Sequence, residues 1–80
     1  MTTNVITLQS IGDSFQIIGS ATGFAKKQTV NNQESYKLSF QFFIHDRLVK
    51  ITTNGYTIHS KEDIIEKIEE TMAEESKRGS

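Results

Sequence analysis

Ser35–Ile44 reads SYKLSFQFFI, and this stretch decides the fold. Tyr36, Leu38, Phe40, Phe42 and Ile44 recur at every second position, the period of a β-strand that buries one face. Lys37, Ser39 and Gln41 then point the other way, until Phe43 interrupts the polar side. The pattern predicts a strand half-buried at its start and buried on both faces at its end. Three of the five phenylalanines lie here, so the core is expected to form against this strand.

Before it, Asn4–Ile11 alternates weakly and reads as a first strand. Gly12-Asp13-Ser14 is a turn cluster suited to a hairpin. Phe15–Ile18 reads as a second strand, continuing toward Phe24 through Gly19 and Gly23, and glycines inside a strand pattern predict a bulge or bend. Lys26 to Glu34 is polar throughout and is expected to be an exposed, mobile hairpin loop, with Asn31-Asn32 suited to left-handed turn positions.

After it, His45-Asp46-Arg47 reads as a tight turn and Leu48–Thr53 as a fourth strand. Asn54-Gly55 is the favoured pair for a two-residue type I′ turn and predicts a short return strand over Tyr56–Ile58. A helix then begins. Ser60 is a good N-cap, Glu62 and Asp63 place negative charge in the first turn, and Asp63 stands where a capping box would use it. Ile64, Ile65, Ile68 and Met72 form one narrow apolar stripe, expected to cover the sheet or a second copy. Lys77, Arg78 and Gly79 suit the helix end.

The expectation is therefore one α+β domain over residues 1–76, with 77–80 as a tail: a curled antiparallel sheet of four or five strands, then a C-terminal helix. The run of strand, long bent strand, two strands and helix over residues 12–70, with Gly12-Asp13 opening the bent strand, is similar to the first part of an OB-fold barrel. No strands follow the helix that could close such a barrel.

Eighty residues is a marginal size for one hydrophobic core, and the usual reinforcements are missing. The chain has no cysteine, which excludes disulfides and thiolate metal sites, and no proline or tryptophan. Self-association would supply buried area, so a homodimer is expected. MTTNVITLQS lacks the basic start and apolar run of a signal peptide, and no stretch approaches transmembrane length, so a cytoplasmic protein with no membrane partner is expected.

The net charge of −1 hides a division. Residues 1–59 carry five basic side chains against three acidic ones, and residues 60–80 carry four against seven. A mildly positive sheet thus precedes an acidic helix, a split that can mark a nucleic-acid surface.

No constellation for chemistry emerges. His45, Asp46 and His59 match no compact metal spacing. Ser60 is better employed as an N-cap than as the nucleophile of a triad with His45 and Asp46. Gly19–Gly23 lacks the Gly-Lys-Ser/Thr of a phosphate loop. A non-enzyme without metal or cofactor is expected. Size and free strand edges favour binding to another protein, in the manner of an accessory or inhibitor protein of a phage or mobile element. The alternative is single-stranded nucleic-acid binding through Lys37, Phe43, Arg47, Lys50 and Tyr56, aromatics for stacking and cations for phosphates. A third class is a self-assembling structural subunit.

Overall fold

The computed structural model describes residues 5–78. Five strands, β1 (Ile6–Ile11), β2 (Ser14–Gly19), β3 (Thr22–Val30), β4 (Gln33–Ile44) and β5 (Arg47–Thr52), precede one helix, α1 (Lys61–Arg78). The strands form one antiparallel sheet in the order β1-β2-β3-β4-β5, an open meander that does not close into an OB-type barrel. None of the described helical residues makes a helix long and apolar enough to cross a membrane.

The alternation in β4 builds the core as expected. Leu38, Phe40 and Phe42 are buried, with Tyr36 and Ile44 packed beside them. Ile17, Ala25 and Val49 join from the neighbouring strands, and Ile64, Ile68 and Met72 of α1 cover them. Ile65, on the flank of that stripe, is half-buried. The helix lies along β4 with its N-terminus at the Tyr36 end: Lys61 Nζ sits 5.7 Å above the Phe15 ring, itself 5.5 Å from that of Tyr36. Its C-terminus meets the β4–β5 turn, where His45 Nε2 donates to Ser76 O at 3.1 Å.

The start of the helix is closed from both sides. Ser60 Oγ accepts the Asp63 N–H at 3.2 Å, and the Asp63 carboxylate accepts the His59 N–H at 3.0 Å. The reciprocal bond thus reaches one residue further back than in the usual capping box.

Several elements differ from the sequence expectation. The long bent second strand is two strands, because the chain reverses at Ser20-Ala21: Ser20 N–H donates to Val5 O at 2.8 Å, and Ala21 is buried. Lys26 to Glu34, expected as a hairpin loop, is strand on either side of a two-residue turn. It is the end of the β3–β4 hairpin, paired in unbroken register from Thr22↔Gln41 to Val30↔Gln33. Asn31 and Asn32, with φ of 52° and 64°, take the expected left-handed turn positions and make its two-residue turn in the type I′ pattern. The strand is polar because backbone pairing holds this ribbon without a buried face to fill.

The second such turn is His45-Asp46, with φ of 50° and 61°, and Arg47 already belongs to β5. Asn54-Gly55 is not a hairpin turn, and no strand forms over Tyr56–Ile58. The Asn54 carboxamide accepts the Tyr56 N–H at 3.2 Å and breaks the extended chain. The segment instead lies beside the part of β4 that β5 does not reach. Thr53 N–H donates to Leu38 O at 3.0 Å and Tyr36 N–H to Ile58 O at 2.9 Å. The expected first-strand residue Asn4 lies outside the described residues, as do Gly79 and Ser80.

Candidate functional site

One face of the sheet packs on α1; the other is open. The register assigns each side chain to a face, since directly opposed residues of antiparallel strands point the same way. Lys26 opposes Lys37, Phe24 opposes Ser39, and Thr22 opposes Gln41. On the far side of β4, Ser39 opposes Thr52, Gln41 opposes Lys50, and Phe43 opposes Leu48. All of these lie on the open face, together with Gln16 opposite Phe24.

Three depressions on this face share walls. A recess of about 330 Å³ is lined by Phe24, Lys26, Lys37, Ser39 and Thr52. Phe24, Ser39 and Thr52 also line a broader trough of about 640 Å³ that includes Ile18 and Lys50. Thr22 and Gln41 carry the trough into a third hollow of about 270 Å³, which ends at Phe43 and Leu48. The result is one continuous track, about 20 Å from Lys37 to Phe43 at the strand rise.

Its charge is one-sided. Lys26, Lys37 and Lys50 stand on the track, none of them in an ion pair with a described residue. No strand position of the open face carries a carboxylate. The acidic side chains of α1 belong to the opposite side of the sheet, where the helix packs. Lys26 and Lys37 face each other directly across β3 and β4, an arrangement that like charges make unfavourable unless an anion lies between them.

The aromatic complement is equally plain. Phe43 is 74 % exposed and Phe24 is 46 % exposed, both on the track, with Ile18 and Leu48 exposed between strands. The expectation that β4 ends buried on both faces is corrected here. Phe42 is buried while Phe43 stands in solvent, because α1 covers only one side.

Of the residues the sequence nominated, Lys37, Phe43 and Lys50 come together on this track. Arg47 does not: it sits on the helix side, its Nη2 3.3 Å from Glu75 Oε1, and Glu75 also holds Arg78 at 3.2 Å. Tyr56 lies at the ribbon end, beyond the bridge that Gln28 Nε2 makes to Asn54 O at 2.6 Å, beside a separate hollow lined by Val30, Asn31, Gln33, Ser35 and His59. Phe24 and Lys26, which the sequence placed at the end of a bent strand and the start of a hairpin loop, also stand on the track. Their alternation became visible only once β3 was known to run through to Val30.

Lys27, one residue from Lys26, points to the helix side and pairs with Glu34 at 3.0 Å. The hydrogen bond and charge of Glu34 raise the Lys27 ammonium above its ordinary 10.5. His45 and His59 are held by backbone carbonyls at opposite ends of α1, His59 Nδ1 donating to Glu34 O at 2.9 Å. Ser60, at the His59 end, is far from His45 and Asp46. Among the described residues no three metal-binding side chains cluster.

Comparisons with family models, with curated proteins and with solved structures returned no match to this chain.

Proposed function

We propose that the open face binds single-stranded nucleic acid without catalysis. The observation that supports this is the track of Lys26, Lys37 and Lys50 interleaved with exposed Phe24 and Phe43 on a face whose strand positions carry no carboxylate. Stacking on a phenylalanine accepts any base, and a lysine needs only a phosphate within reach, so the recognition is tolerant of sequence. Gln16, Ser39, Gln41 and Thr52 offer donors and acceptors to base edges and sugars along the same path. The acidic helix on the far side repels the strand from the wrong face and so orients it.

A protein partner is the second reading, favoured by the exposed apolar side chains Ile18, Phe24, Phe43 and Leu48 on the same face. The two differ in their response to salt. A labelled oligo-dT is titrated by fluorescence anisotropy at low and at fourfold higher salt. Three lysines each neutralising a phosphate give a logarithmic slope of about −2, so affinity falls about twentyfold across that range. No binding at low salt, or binding indifferent to salt, overturns the nucleic-acid reading and leaves the protein partner.

A further inference from the structure

The edges of the sheet are unlike. β5 carries Arg47 and Lys50, and the chain beyond it continues alongside β4. β1 is ITLQSI: six residues with no charge, no proline and no described strand on its outer side. Exposed edges of this kind are usually guarded by lysine, proline or a bulge, because they template pairing with another strand.

The hydrogen-bond phase of this edge is readable. Val5 accepts from Ser20 N–H on the β2 side, so Val5, Thr7, Gln9 and Ile11 direct their backbone groups inward to β2. Ile6, Leu8 and Ser10 therefore present theirs to the outside. Side chains alternate with the same period: Ile6 and Leu8 face the helix side, while Thr7, Gln9 and Ile11 share the open face with Ile18, Gln16 and Ser14.

We propose that β1 pairs with β1 of a second copy, antiparallel about a two-fold axis normal to the sheet, with Leu8 opposite Leu8 of the other protomer. Such an axis keeps like faces together, so only residues of the same face can oppose one another. With Leu8 on the axis, Ile6 and Ser10 meet across it, and all three outward residues of each strand find backbone partners. The same register sets Val5 against Ile11 at both ends, on the open face. These two are 58 % and 49 % exposed in the single chain, and pairing covers both as cross-strand hydrophobic neighbours.

Charge favours this edge over the other. Lys26 and Lys50 lie two and four strands from β1, so their counterparts across the axis are about 24 Å and 43 Å away, well beyond the screening length at physiological salt. Pairing through β5 would instead bring Arg47 and Lys50 of both copies to one seam. Pairing β1 to β5 of another molecule would leave free edges and propagate as a filament. The two-fold joint closes and forms one ten-stranded sheet with its open faces side by side.

This inference is independent of what the open face binds. Sedimentation velocity of the full chain over a concentration series tests it, and the mass is expected to rise from one chain to two and no further. Ser10→Pro removes an outward N–H and no bond inside the protomer, so it is expected to stay monomeric with an unchanged circular dichroism spectrum. Gln9→Lys brings two cations into diagonal contact across the axis and is expected to weaken the dimer several-fold. If Ser10→Pro does not fold, amide exchange of the unaltered protein decides: protection of Ile6, Leu8 and Ser10 is expected to grow with concentration. A chain that remains monomeric throughout, a dimer that survives Ser10→Pro, or exchange at these amides that ignores concentration overturns the proposal.

Discussion

Replacing Gly55 with alanine is expected to bring the domain to the edge of unfolding, whereas the same change at Gly12 is expected to be mild. The two glycines adopt nearly the same φ, 70° and 63°. A left-handed backbone costs an L-residue about 1–2 kcal/mol, and both variants carry that strain. They differ in what the new methyl group meets. A Cβ on Gly12 would have open space, while a Cβ on Gly55 would lie 1.8 Å from Tyr36 O and 2.6 Å from its carbonyl carbon. These are backbone atoms of β4 and cannot swing aside. Relief requires the 53–58 segment to lift, which breaks the Thr53–Leu38 and Tyr36–Ile58 backbone bonds and uncovers Ile58, a core residue.

With each bond contributing about 0.5–1.5 kcal/mol, strain and bonds at Gly55 sum to about 2–5 kcal/mol, and exposing Ile58 adds about 1.5–3 kcal/mol. A domain of this length has about 4–12 kcal/mol in total. Urea denaturation followed by far-ultraviolet circular dichroism measures both variants. With a slope near 1 kcal/mol per molar, the Gly12→Ala midpoint should fall by about 1–2 M and that of Gly55→Ala by about 3 M or more. Equal shifts in the two variants would refute the packing of this segment against β4.

Phe24→Ala is expected to weaken oligo-dT binding by about five- to hundredfold, the range of one lost stacking contact, with little change in the urea midpoint. Lys37→Gln should lower the salt slope by about 0.7, and the same slope measurement detects it. Thr53 Oγ1 is buried without a hydrogen-bond partner among the described residues, so Thr53→Val should raise stability by about 1 kcal/mol in the same denaturation assay. Because Glu34 raises Lys27 above 10.5, the stabilisation from that pair is whole below pH 10.5 and disappears as pH rises through the higher folded value. Glu34→Gln should return the Lys27 titration, followed by NMR at Nζ, to its ordinary position.

The parts of the fold that rest on burial were legible in the chain. Alternation in β4 and the stripe of α1 exist because each element fills one face of the core, and Ser60 with Asp63 announced the helix start through side-chain chemistry. What escaped was held by backbone. The ribbon from Lys26 to Glu34 buries little, so its strands left no apolar period, although the left-handed turn at Asn31-Asn32 was legible. Asn54-Gly55 carried the strongest hairpin signal, yet its side-chain bond to Tyr56 N–H and the close approach to Tyr36 O decided otherwise. The track suffered the same blindness. Lys37, Phe43 and Lys50 were readable from strands already recognised, Arg47 falls on the other face because one position in a strand changes its face, and the alignment of Phe24 and Lys26 with the track was hidden in the segment expected as bend and hairpin loop.

Amide chemical-shift mapping with oligo-dT tests most directly, residue by residue, whether the open face is the proposed nucleic-acid surface. The expected result is a contiguous set of shifts along the track, at Phe24, Lys26, Lys37, Ser39, Gln41 and Lys50, with α1 unmoved. Shifts centred on α1 or on the Arg47–Glu75 side, or no shifts at low salt, would contradict it.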